Sequence, residues 1–273
     1  MTTMPPDDRD GDDPVLSPLL SEPFARAWAA PAAAAPGGDL GTRLSQRVKQ
    51  SLQAEQGMVT VRRRAATAEP LASGVQQRWL YRSPQGRALR RGEPVAAIVV
   101  ELQPGAGFDL PAAGAREFLV LQGSLAIDGE PLGQRDYLRL PAGTAPRLSS
   151  PDGAHVFVRE ANDRASAASA RALVRDAEAG WPEFAPGIRR RVLWTAAGQA
   201  ALLYRADPGA SVPVHSHGHD EECLMVQGEL FLDDVLLQAG DYQLAPAGTG
   251  HRITETDTGV ILYAHGDLDL QFT

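Results

Sequence analysis

The chain has one cysteine, Cys223, and one lysine, Lys49, among 273 residues. A lone cysteine excludes an internal disulfide, in keeping with a reducing compartment. No apolar run reaches the 18 residues that a membrane crossing requires, so no span is expected. A basic and then apolar leader is also missing: the sequence opens on the acidic MTTMPPDDRDGDDP, and the expected location is the cytoplasm. With a net charge of -8, direct binding of nucleic acid through its phosphates is not expected. Large apolar groups are few over residues 1–38, a Pro, Ala, Gly and Asp mixture expected to be a disordered tail.

What is present reads as globular and rich in turns: 43% apolar residues with 27 Gly and 21 Pro, which favours short strands over long helices. The length suits two domains, each with its own core. Residues 39–70 form a helix and linker. Leu40, Leu44, Val48 and Leu52 stand four apart, with Gly57 beyond the end, and predict an amphipathic helix over about 40–56. Such a stripe most often docks on an adjacent domain; its other use is a partner-binding surface.

Beyond residue 70 the chain repeats. GSLAIDGEPLGQRDYLRLPAGTAPR (123–147) aligns without a gap on GELFLDDVLLQAGDYQLAPAGTGHR (228–252), matching at 11 of 25 positions at an offset of 105. The repeating unit is therefore a domain, placed at 71–165 and 166–273. Within each unit, short apolar runs such as PVAAIVVEL, REFLVLQG and AHVFVRE lie between Gly, Pro and Asp turns. They predict an all-β fold of two antiparallel barrels or jelly rolls.

Three of the six histidines fall in HSHGHDEECLMVQG (215–228). On a strand, His215 and His217 share a face and can hold one ion together. Glu221 opens the next strand, and His251 follows the turn PAGTG, which a barrel could bring alongside. Three imidazoles and a carboxylate suit Zn, Fe, Mn, Ni or Cu rather than Ca or Mg. Cys223 should share the face of Glu221, as a buried inert thiol or near the ion, with Met225 a further pocket candidate. Glu222 and Asp220 are candidates to orient the ligands. His219, in the turn, is expected to face solvent, and His155 and His265 are read as ordinary hydrogen-bonding histidines.

Gly209-x5-His215-x-His217-x3-Glu221-x6-Gly228 resembles the first cupin motif, and Gly240-x5-Pro246-x-Gly248-x2-His251 the second, with Glu255 where the usual Asn would stand. The resemblance implies a bicupin with one divalent transition metal ion, zinc first among the candidates, held by His215, His217, Glu221 and His251. In the first unit Arg116 aligns with Glu221 and Pro146 with His251, so the 71–165 barrel is expected to be metal-free. Glu117, aligned with Glu222, should face away from its cavity.

HSHGHDEECLMVQGEL and the upstream segments RVKQSLQAEQGMVTVRR and LYRSPQGRALRRGEP most resemble the ChrR-like cupins, some of which are sensory halves of anti-sigma factors. In those a preceding zinc domain of His and paired Cys holds the sigma factor. Here no histidine precedes His155 and no cysteine precedes Cys223, so that domain cannot be built. The resemblance implies a sensory, regulatory or small-ligand-binding role, with a small ligand or a regulatory protein as partner and homodimerisation through the barrels left open. A mononuclear metal-dependent dioxygenase is the alternative, since its ligand set is the same.

Overall fold

The computed structural model describes residues 39–54, 57–90, 92–161, 171–269 and 271–272. The tail expected to be disordered lies outside them. The helix forms at Leu40–Ala54, its first turn capped by Asp39, whose Oδ1 accepts from Thr42 N at 2.8 Å. Its stripe of Leu40, Leu44, Val48 and Leu52 is exposed. Among the described residues no helix is long and apolar enough to cross a membrane.

The rest is β. Seven strands of the first barrel line up in the order Ala172–Val174, Tyr137–Leu140, Ala115–Gly123, Ala154–Ala161, Ala96–Leu102, Val75–Arg82 and Ala68–Ala72. The second barrel repeats the order with Val59–Val61, Tyr242–Ala245, Glu221–Leu232, Val260–Asp267, Gln199–Ala206, Ile188–Ala196 and Glu183–Ala185. The edge strands are exchanged. Val59–Val61 precedes the first barrel yet pairs with Tyr242–Ala245, and Ala172–Val174 precedes the second yet pairs with Tyr137–Leu140.

The repeat places the same turns at the same points. Gly123 and Gly228 both have positive φ, 79° and 77°, and a Cβ on either would lie 2.1 Å from the carbonyl oxygen of Gly153 or Gly259. Only glycine lets the chain bend there as the strand leaves the large sheet.

Because strands are buried on both faces, there are three cores rather than two. Phe118, Val120 and Leu138 fill the first barrel; Leu230, Leu232 and Leu262 fill the second. Leu119, Tyr137 and Phe157 from one barrel meet Leu224, Tyr242 and Tyr263 from the other in a shared core between them.

That shared core contains charge. Arg159 bonds Glu222 through Nε, Glu117 Oε1 through Nη1 at 3.3 Å, and the Gly92 carbonyl through Nη2 at 2.7 Å. Arg139 Nη1 donates to Glu117 at 2.9 Å, and the hydroxyls of Tyr263 and Tyr242 donate to Glu117 and Glu222, each at 2.7 Å. Burial alone would raise the Glu117 carboxyl; His265, Arg159 and Arg139 outweigh it and hold the group well below its ordinary value. Glu117 faces away from its barrel's cavity, as strand parity required.

Removing one partner of a buried ion set leaves charge uncompensated, so Arg159→Met should lower stability by about 3–5 kcal/mol, read from urea unfolding at pH 7. An unchanged midpoint would show that the network contributes no net stability. Glu117 is depressed in the folded state, so its contribution is complete above its ordinary value of 4.5 and is lost as pH falls below it. Wild-type unfolding midpoints should therefore drop between pH 5 and 3 more steeply than those of Glu117→Gln.

Candidate metal centre

The two motifs meet by strand pairing. His215–Ser216 runs antiparallel to Gly250–His251, with His215 opposite His251, and the ladder continues as His217 N donates to Thr249 O and Gly248 N to His217 O. The approach is close: a Cβ on Gly250 would lie 2.3 Å from the His215 carbonyl oxygen, so glycine is required at that position. On the other flank His215 pairs with Phe272. Glu221 enters from the first residue of Glu221–Leu232.

These elements bring the four expected ligands together. Ring centroids of His215, His217 and His251 are 5.0–5.7 Å apart. Glu221 Oε2 lies 3.0 Å from His217 Nε2 and 3.9 Å from His251 Nε2, and ligand atoms of His215, His217 and Glu221 all fall within 4.8 Å of one another. The three rings are buried. Among the described residues, Nδ1 of His217 and Nε2 of His251 have no hydrogen-bond partner, and Nε2 of His217 has only the Glu221 carboxylate near it, at 3.0 Å. Buried imidazole nitrogens left unpaired around a carboxylate are what a cation would satisfy, and this nitrogen and oxygen set fits a divalent transition metal ion.

The electrostatics agree. Burial opposes charge on Glu221, but His217, His251 and His215 outweigh it and bring the carboxyl down to about 2. His217 is raised, because Glu221 outweighs its burial, whereas burial lowers His215.

Groups behind the ligands set their direction. Asp233 Oδ2 lies 3.1 Å from His251 Nδ1 while its Oδ1 accepts from Arg252 N, and the Pro213 carbonyl lies 2.9 Å from His215 Nδ1. With Nδ1 donating in each case, Nε2 keeps its lone pair toward the centre. Asp233 escaped the sequence reading. Its only signal is the pair Asp233-Asp234 between two apolar runs, which announces a turn, and Asp233 has φ 55° there.

Other expectations fare differently. Cys223 is buried and lines the cavity beside the ligands; burial, with Glu221 and Glu222 nearby, pushes its thiol far up, so it stays a thiol. Met225 packs in the core of the barrel with Leu230 and Leu262 and does not line the cavity. Glu222 lies on the opposite strand face, committed to Arg159 and Tyr242, and does not orient ligands directly. Asp220 receives Arg90 Nε at 2.7 Å and Ala247 N at 2.9 Å, and so pins the turn that leads to His251. His219 is buried rather than exposed, because its Nδ1 bonds Asp267. His265 is buried 3.4 Å from Glu117 and stacks on Trp194. Glu255 is exposed.

In the first barrel Arg116 occupies the position of Glu221, its guanidinium spent on the Pro111 carbonyl at 2.7 Å and Glu160 at 3.0 Å.

The donor set borders a cavity of about 60 Å³. Its walls are mostly apolar, including Ile188, Val212, Leu230 and Leu262, with Tyr204 and Thr254 as the hydroxyls. Burial pushes the Tyr204 hydroxyl up to about 12.

Residues 169–269 match the ChrR Cupin-like domain family. No curated protein matches the chain. Among solved structures, a candidate dioxygenase from Nostoc punctiforme superposes with a TM-score of 0.62 at 14% identity, over 77% of this chain and 83% of that one. A candidate glyoxylate-induced protein from Pseudomonas aeruginosa gives 0.62 at 13%, over 79% and 91%. The formate complex of Lactobacillus farciminis oxalate decarboxylase gives 0.58 at 15%, over 78% and 87%.

If these ligands hold the ion, His217→Ala should abolish stoichiometric metal uptake, whereas Asp233→Asn should retain it with affinity lowered about 10–100-fold. Competition with a chromophoric chelator reads both. Equal affinity in wild type and Asp233→Asn would remove the orienting role of Asp233.

Proposed function

We propose that this chain, which folds as a bicupin and whose residues 169–269 match the ChrR Cupin-like domain family, is a metal-dependent binder of a small molecule, with a sensory or regulatory role. The observation that carries this reading is the pairing of a buried three-histidine, one-carboxylate set with a small, mostly apolar cavity. A divalent ion held by His215, His217, Glu221 and His251, zinc first among the candidates, would supply Lewis acidity and open positions for a ligand. The protein's own residues supply the rest. Asp233 and Pro213 orient imidazoles, the apolar walls exclude water, and Tyr204, which keeps its proton at neutral pH, offers a hydrogen bond rather than a base. Apart from the metal-ligand candidates, the described cavity lining has no histidine, carboxylate or lysine to act as a general base, which favours binding over turnover. The lone thiol, Cys223, supports a cytoplasmic setting for such a role.

Oxygen chemistry is the second reading, supported by the likeness to a candidate dioxygenase and by a donor set that leaves coordination positions free. Metal analysis of protein purified without added metal should find one zinc per chain. Iron-, manganese-, nickel- and copper-loaded samples should show no sustained oxygen uptake with diketones, thiols or phenols. Turnover that disappears with His251→Ala would replace the sensory reading by the dioxygenase one.

A further inference from the structure

Among the described residues, the cavity lining has one hydroxyl with nothing to bond. Thr254 lies on the short strand Thr254–Glu255, paired with Ser211–Val212 and with the end of Glu221–Leu232, and it lines the mostly apolar cavity. Its Oγ1 is buried and makes no hydrogen bond among the described residues. A hydroxyl could be left so at a core position only at a cost, and a threonine where valine would pack equally well calls for a partner from outside the chain.

Charge narrows that partner. Of the four ligand candidates only Glu221 is anionic, and Asp233, behind His251, is itself paired with Arg252, so a divalent ion would leave about one positive charge facing apolar walls, and buried charge is unfavourable unless it is matched. The described lining carries no arginine, no lysine and no second carboxylate, so neither a dianion nor a cation would find its counterpart. A single negative charge would. Size narrows it further, because a cavity of about 60 Å³ favours a small molecule.

We infer that this cavity takes a short aliphatic monocarboxylate with a second oxygen at carbon 2, a 2-oxo or 2-hydroxy acid, and that Thr254 selects it by hydrogen bonding that second oxygen. The carboxylate matches the residual charge of the site, and the alkyl end packs on residues such as Ile188, Leu230 and Leu262. Tyr204 also lines the cavity, as a further donor. The inference rests on the metal-binding reading above.

The test uses full-length protein loaded with one equivalent of Co(II), cobalt content matched between variants, and follows the cobalt absorption bands and the heat of binding. Wild type should bind 2-oxobutyrate about tenfold more tightly than butyrate, and more tightly than oxalate or 2-butanone. Thr254→Val should lose about tenfold for 2-oxobutyrate while butyrate changes little, erasing the preference, and Thr254→Ser should restore it, the size expected of one hydrogen bond to a ligand oxygen. A preference that persists in Thr254→Val, tighter binding of oxalate than of 2-oxobutyrate, or no binding of 2-oxobutyrate by the cobalt protein would overturn the inference alone. Failure of the wild type to take up Co(II) would overturn the metal reading and this inference with it.

Discussion

Arg159 holds two buried carboxylates, one from each barrel, and the placement of the candidate metal centre depends on it. Glu221 and Glu222 are neighbours on one strand, so they point in opposite directions. When Glu222 is tied to Arg159 and Tyr242 in the core between the barrels, Glu221 is committed to the interior of its own barrel, 3.0 Å from His217. A one-residue slip of that strand would turn both carboxylates to the wrong side. Glu117 repeats the first half of this device in the other barrel, with Arg139, Arg159 and Tyr263 around it.

The two barrels thus share a frame and differ in content. The exchanged edge strands, Val59–Val61 and Ala172–Val174, tie each barrel to a segment that precedes the other. Arg116 shows how the site is absent from the first barrel without harm to its fold: a long cation replaces the carboxylate ligand and is satisfied locally by Pro111 and Glu160. Asp136 and Asp241, the repeat-related acids of the shared DY pair, both close turns, Asp136 accepting from Gly133 N at 2.9 Å and Asp241 from Gln238 N at 3.1 Å. Turn chemistry is common to both barrels, whereas ligand chemistry belongs to one.

Around the centre, distant segments divide the labour. The ladder between the two motifs aligns His215 with His251, and Asp220 pins the turn ahead of His251 to both Arg90 and Ala247. Asp233 and the Pro213 carbonyl set ring orientation. The result is a donor set whose geometry is held by backbone pairing and outer hydrogen bonds.

The sequence by itself determined the repeat, the all-β class, the four ligand candidates and their loss from the first barrel. Those features rest on local signals: period-two alternation, turn residues at constant offset, and histidines at strand spacing. It could also place Glu117 on the far face, since parity is a local property. Only the tertiary structure decided which groups stand behind the ligand candidates and what lines the cavity. Asp233 is 18 residues from His251 and meets it through a turn, and Thr254 lines the cavity from a position that no motif marks. His219 looked like a solvated turn histidine until Asp267, 48 residues away, closed over it. The exchanged strands and the charged core between the barrels were equally illegible, because each pairing joins segments that no periodicity relates and that only the closed sheets bring together.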